Sequence, residues 1–440
     1  MKVSINSQTP PVKFNLDYSG LLEKYGVLEV PVDLNALDKT DYQLSVGGVP
    51  RMLLQLIDKS DFELVRWVAL GPKYPPIVKL KDNLMVYFVS LDAATISGYV
   101  KFKEGVYNEA HGLAKYNIKP REYLSYADYN WHCAQRLLKF LDDTDVYFIN
   151  DFQQLLVGGI IGPSAPAVFW YHIPFVPEMM SPRMRDFIVK SMEAYDVVIV
   201  STKSCLEGLI RAGFRGIAKQ IYPFIDPDAL NKVGNIQEVK DKFNIRDDDS
   251  VALLVGRLDP MKRQDVAIKA IAKVEDVKLV LAGNGSFTSS KGGLATDKAS
   301  AWYRKLVKLV KELNIEDRVI FTGYVSEEEL GALYSIADVV LLTSSIEGFG
   351  LTTCEAWVFK KPVVVSRGCG SAELVIDGTN GYTFTPNDYD DLAEKVKMVL
   401  SDSEKAVHMG EVGFETAKRC FVDSVSKELK AVFESVLHKK

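Results

Sequence analysis

The sequence predicts an α/β protein of two doubly wound, Rossmann-like domains facing each other across a cleft. Three observations predict it. Short apolar runs are continuous rather than alternating, as in parallel strands buried on both faces. Helical runs lie between them, which makes repeated β-α units. The pattern also restarts midway along the chain.

The strand-like runs of the first half are Phe62–Leu70, Leu84–Val89, Val146–Ile149, Val168–Ile173 and Val197–Val200. Those of the second half are Val251–Val255, Val277–Leu281, Val319–Phe321, Val339–Leu342 and Pro362–Val365. Helical patterns fall between them at Tyr123–Leu141, Arg183–Ala194, Thr202–Ala212, Arg263–Val274, Ser300–Leu313 and Glu327–Ser335. At 440 residues the chain exceeds the ~250–300 that one core supports, so at least two domains are needed. Residues 223–249 are polar, carry no strand pattern and end in the acidic turn Asp247–Asp249. The strand Ser250–Gly256 then opens a second series. This places a hinge near Pro223–Pro227, with an N-terminal domain over 1–225 and a C-terminal domain over 226–421. The last helix, Val422–Leu437 within 422–440, is expected to return to the first domain. Ligands of such sheets bind outside the carboxyl ends of the strands.

Composition narrows the function. Lys plus Arg is 53 and Asp plus Glu is 58, a net charge of −5, so nucleic acid is a poor partner. The five cysteines are widely spaced, without the close pairs of zinc sites, and read as free thiols of a reducing, cytoplasmic compartment. The N-terminal MKVSINSQTPPVKF has no apolar signal core. Residues 152–177 carry no Asp, Glu, Lys or Arg, but their glycines and prolines break the run into a short helix and a buried strand. No basic, apolar-tipped helix appears in the first domain, so no stable membrane association is expected.

In the second half, Gly256-Arg-Leu-Asp-Pro-Met-Lys follows a strand and opens a helix, with Pro260 suited to the helix start. Arg257 and Lys262 sit five apart across that turn, and two permanent cations suit a diphosphate. Two solvated surface charges are the plainer alternative. The stronger signal is Ser345-Ile-Glu-Gly-Phe-Gly-Leu-Thr-Thr-Cys-Glu-Ala. Glu347 falls in the turn and Glu355 in the helix after it, suited to sugar hydroxyls and a ribose diol. Gly348 and Gly350 free backbone amides near Phe349 and Leu351 for phosphate.

Together, Arg257-x4-Lys262 and Glu347-x7-Glu355 resemble the donor site of retaining GT-B glycosyltransferases of the glycogen synthase-like type. Phe321-Thr-Gly-Tyr-Val and Ala282-Gly-Asn-Gly match in order and spacing. The resemblance implies that Arg257 and Lys262 hold the nucleotide diphosphate. It also implies that Glu355 holds the ribose, that Glu347 contacts the transferred sugar, and that Tyr324–Val325 line the base. The donor expected is a nucleotide diphosphate glucose, UDP-glucose first, with the base itself left open.

In the first half, Tyr147-Phe-Ile-Asn-Asp puts Asp151 just past one strand, and Phe169-Trp-Tyr-His-Ile-Pro-Phe puts His172 at the end of the next. Residues 100–210 resemble trehalose-6-phosphate synthases, which carry the His-Ile-Pro-Phe of His172–Phe175 and an Asp before a helix, as at Asp151. The segment Ser45-Val-Gly-Gly-Val-Pro resembles their N-terminal glycine loop. By resemblance His172 meets the transferred sugar and the acceptor, Asp151 binds an acceptor hydroxyl, and Gly47 and Gly48 close over the donor. This chain departs from the family at Asn150 and Gln153, where the family has His, and at Glu347, where it usually has Asp. A Trp and a Tyr that help hold the acceptor phosphate fall at His111 and Phe102, which leaves His111 as the candidate phosphate contact.

The implied reaction is retaining glucosyl transfer to glucose 6-phosphate. Free glucose and a glycan are the alternative acceptors. Cations stabilise the leaving diphosphate, so no metal is expected. The expected partners are a small-molecule donor and a sugar acceptor, with a homo-oligomer left open. An oxidoreductase reading requires Gly-x-Gly-x-x-Gly after a strand, which neither Val46-Gly-Gly-Val nor Val255-Gly-Arg-Leu supplies. A non-catalytic sensor would lack one of His172, Arg257, Lys262, Glu347 or Glu355, and all are present.

Overall fold

A computed structural model describes residues 1–44, 47–283 and 294–437. Ser45 and Val46 of the glycine loop, and Asn284 and Gly285 of the Ala282-Gly-Asn-Gly segment, lie outside the described residues. The chain divides into two compact units, Met1–Tyr222 with Val425–Lys440, and Pro223–Ser424.

In chain order the strands of the first unit are β1 (Lys2–Ser7), β2 (Val12–Phe14), β3 (Val32–Asp33), β4 (Tyr42–Leu44), β5 (Leu64–Leu70) and β6 (Ile77–Lys81). They continue with β7 (Leu84–Val89), β8 (Val146–Asn150), β9 (Ala167–Tyr171), β10 (Val197–Val200) and β11 (Ala218–Gln220). The main sheet runs β11-β10-β9-β8-β1-β5-β7-β6-β3, and β2 pairs with β4 apart from it. Within the main sheet β6 is antiparallel to β7, and the other pairings are parallel.

The centre of this sheet is β1, which no apolar run announces. Its Ser4 and Asn6 are fully buried, and each makes a hydrogen bond to a residue far along the chain. Ser4 Oγ meets Thr144 Oγ1 at 2.8 Å, and Asn6 Nδ2 donates to the Val68 carbonyl at 2.9 Å. The helix Val422–Leu437 places Phe433 against Phe62 and Phe148, with ring centroids 6.4 and 5.1 Å apart. Both of those partners belong to the first unit.

The second unit contains β12 (Ser250–Val255), β13 (Val277–Ala282), β14 (Val319–Gly323), β15 (Val339–Leu342), β16 (Val363–Ser366) and β17 (Gly381–Phe384). Its order is β14-β13-β12-β15-β16-β17, all parallel. Counted from β12 this is 3-2-1-4-5-6, the dinucleotide-fold order, whose direction reverses between β12 and β15. In the first unit the reversal falls between β1 and β8. These two switch points are where such sheets open a crevice at their carboxyl ends. The region 223–249 forms the helices Pro227–Leu230 and Ile236–Phe243, with no strand among its described residues.

Candidate active site

The second unit's switch point gathers most of the predicted donor residues. After β12, Gly256 N donates to the Ala282 carbonyl at 2.9 Å, and Asp259 Oδ1 caps the single turn Pro260–Lys262 by accepting from Met261 N at 2.9 Å. After β15, Thr343 Oγ1 donates to the Lys262 carbonyl at 2.6 Å, and Ser345 N donates to the Met261 carbonyl at 3.1 Å. These bonds lace the two loops together. They bring Lys262 and Glu347, 85 residues apart, into an ion pair with Nζ to Oε1 at 2.5 Å. Ser344 Oγ donates to the other oxygen, Oε2, at 2.7 Å.

Arg257 takes a different position from Lys262. Its side chain is 42% exposed, and its nearest carboxylate is Asp259, 3.8 Å away. Its carbonyl is tied by buried Gln264, whose Nε2 donates at 2.7 Å while Trp302 Nε1 donates to the Gln264 Oε1 at 2.8 Å.

The Gly-Phe-Gly turn has a steric reason. Gly350 has φ +94°, and a Cβ there would lie 2.6 Å from Leu342 Cδ2. Phe349 is buried, with its carbonyl accepting from Ser371 N at 2.7 Å, and Gly348 and Leu351 flank it partly buried. Glu355 lies on the helix Thr352–Val358, and its Oε2 accepts from Tyr334 OH at 2.8 Å. Tyr324 and Val325 follow β14, with the Tyr324 ring 65% exposed.

In the first unit, Asp151 and His172 stand past the carboxyl ends of neighbouring strands β8 and β9. His172 lies one residue beyond β9, where the sequence pattern carries the strand through Ile173. Asp151 has φ 75°, rare for a residue with a side chain. Its Oδ1 accepts from Phe152 N at 3.0 Å and from His172 N at 3.2 Å, so one carboxylate joins two strand ends. Burial pushes the Asp151 carboxyl up to about 6, against the lowering effect of those amides. Burial also pushes His172 down to about 3, so its ring is neutral through the physiological range.

Asn150, the position where the sequence departs from the resembled family, touches His172. Its Nδ2 donates to the Phe148 carbonyl at 3.2 Å, which turns Oδ1 toward His172 Nε2, also at 3.2 Å. That orientation puts the ring proton on Nε2 and leaves Nδ1 an acceptor. The Trp170 ring packs against His172, with centroids 4.9 Å apart and the planes tilted by 33°.

The two positions where the resembled family's acceptor-phosphate residues would fall are both buried. Phe102 is a fully buried core ring packed on Tyr116, Tyr123, Tyr126 and Phe187. His111 is not a surface histidine: it is 6% exposed, its ring lies over Tyr107 at 4.0 Å, and Nδ1 meets the Tyr107 carbonyl at 2.8 Å. Phe102 sits in the aromatic packing of the helix Ala93–Ala110 against Pro120–Leu138, and His111 caps the C-terminal end of the first of these helices. Gly47 and Gly48 open the helix Gly48–Asp58, and a Cβ at Gly48 would meet nothing within 4 Å. Tyr334, Ser344 and Asn150 escaped the sequence reading. Only Asn150 had a signal, as a departure beside Asp151.

Two doubly wound units in one chain, each with its polar residues at a switch point, define the GT-B fold. Residues 235–416 match the family described as glycosyl transferases group 1. The D-inositol 3-phosphate glycosyltransferase of Mycolicibacterium smegmatis is 33% identical over 186 residues, 42% of this chain and 40% of that protein. The chain thus spans about two fifths of the length of the first curated relatives it matches. Among solved structures, the α,α-trehalose 6-phosphate synthase of Burkholderia multivorans superposes with a TM-score of 0.77 at 17% identity, covering 100% of this chain and 97% of that one. Anabaena HepE, solved with UDP and glucose, superposes with a TM-score of 0.69 at 20% identity, covering 99% and 100%. Among the described residues no helix is long and apolar enough to cross a membrane.

Proposed function

We propose that the protein is a retaining glucosyltransferase moving glucose from a nucleotide diphosphate glucose, UDP-glucose first, to glucose 6-phosphate, so making trehalose 6-phosphate. The observation that carries this reading is the cluster at the β12/β15 switch point. There Lys262 is held 2.5 Å from Glu347, with Arg257 on the same loop and Glu355 on the following helix.

As the bond from glucose to phosphate breaks, negative charge grows on the leaving diphosphate. Lys262 and Arg257 stabilise it, and cations held in place before the reaction do so without reorganisation. Glu347 meets the transferred sugar and Glu355 the ribose. On the acceptor side, neutral His172 presents Nδ1 as an acceptor, and Asp151 takes an acceptor hydroxyl. The leaving phosphate receives the acceptor proton, with attack on the face it departs from. No step is assigned to a metal.

A second reading is transfer to free glucose, giving trehalose directly. The Glu347 motif favours it, as does the loss of the two aromatic residues whose places His111 and Phe102 take. Product analysis with UDP-glucose and either acceptor decides between them. An α,α-linked phosphodisaccharide formed only with glucose 6-phosphate supports the first reading. Free trehalose from glucose moves the assignment to the second. No product with either acceptor sinks both.

A further inference from the structure

Each carboxylate of the Glu347-x7-Glu355 segment is held by one hydroxyl, but the two are held differently. Glu347 has Ser344 on Oε2 and Lys262 on Oε1. Glu355 has Tyr334 on Oε2, and among the described residues its Oε1 has no hydrogen-bond or ion-pair partner. We infer that Tyr334 is a positioning residue: it sets the plane of the Glu355 carboxylate so that the remaining edge selects a ribose with both hydroxyls. This inference rests on the proposed role of Glu355 at the donor ribose.

The geometry makes Tyr334 suited to that task. It lies on the helix Glu327–Ile336 and is fully buried. Glu355 and Phe359 are four residues apart at the end of one helix, a spacing that puts them on the same face. Tyr334 is gripped by both. Its ring stacks on Phe359 at 5.1 Å with 9° between the planes, and its hydroxyl reaches Glu355 at 2.8 Å. The ring stack fixes where the hydroxyl sits, and the hydroxyl fixes one oxygen of a carboxylate that would otherwise rotate about its last bond. A carboxylate fixed in this way offers a vicinal diol two acceptors at a set angle. A tyrosine that merely needed a buried acceptor would give no such selectivity.

Tyr334→Phe tests this, because it keeps the ring and its stack and deletes only the hydroxyl. Calorimetric affinities are measured on the full chain for UDP, GDP or ADP, whichever the wild type binds most tightly, and for its 2′-deoxy form. Glu355→Gln is run beside it, with melting temperatures for all. The expected result for Tyr334→Phe is ribonucleotide affinity down about 10-fold, the size of one hydrogen bond to a charged group. The deoxynucleotide should bind nearly as before, so that the preference for ribose collapses while turnover at saturating donor is kept. Wild-type preference for ribose in Tyr334→Phe, or equal weakening of both nucleotides, overturns the inference. If Glu355→Gln itself keeps wild-type affinity and preference, the donor-ribose reading fails, and the role of Tyr334 falls with it.

Discussion

Lys262 Nζ lies 2.5 Å from Glu347 Oε1, and both side chains are about one-fifth exposed. The pair spans the switch point of the second unit's sheet, one partner after β12 and the other after β15. It joins the residue proposed for the leaving diphosphate to the one proposed for the transferred sugar. A cation held this way is directed before any ligand arrives, which is the condition for electrostatic catalysis.

Lys262→Ala and Arg257→Ala should each lower turnover by roughly 10²-fold, the scale of losing one preorganised charge stabiliser. The acceptor KM should change far less. Steady-state kinetics on both variants is the check. Wild-type turnover in both removes the leaving-group assignment.

His172→Ala should lower transfer by about 10²-fold or more while leaving nucleotide affinity intact, as expected for a group acting on the reacting atoms. Calorimetry with UDP beside an activity assay reads both quantities. Lost nucleotide affinity would move His172 away from the acceptor.

The strand-end pair should leave opposite marks on pH-dependent stability. The Asp151 carboxyl is raised from 3.8 to about 6, so its contribution is full below about 3.8 and is lost as pH rises through about 6. His172 is depressed from 6.5 to about 3, so its contribution is full above about 6.5 and is lost as pH falls toward about 3. In the wild type the two trends oppose each other between about pH 4 and 6. Relative to the wild type, His172→Gln should therefore lose stability as pH rises across that window, and Asp151→Asn should gain it. Each slope is at most ~1.4 kcal/mol per pH unit. Melting curves of wild type and variants at several pH values measure this, and slope changes of the same sign in the two variants contradict it.

Gly350→Ala should cost about 1–3 kcal/mol, because the turn needs a left-handed backbone and its Cβ would press on Leu342. Chemical denaturation of the variant is the measurement. An unchanged midpoint would mean that the turn relaxes without cost.

The sequence by itself determined the fold class and named the residues proposed for the donor. Continuous apolar runs such as Val339–Leu342 and Pro362–Val365 can hardly be anything but buried parallel strands, and β15 and β16 stand at those positions. The segment from Ser345 to Glu355 was legible because its charges and glycines are close in the chain. The tertiary structure alone decided the rest. It made β1 a central strand, where Ser4 Oγ and Asn6 Nδ2 find partners at Thr144 and Val68, far along the chain. It buried Phe102 in the aromatic packing of two helices, which a local reading cannot see. It also brought Lys262 to Glu347 and Tyr334 to Glu355, contacts over 85 and 21 residues. Local pattern reports which face of an element is buried. Which side chains meet is settled only when strand order brings distant chain ends to one edge of a sheet.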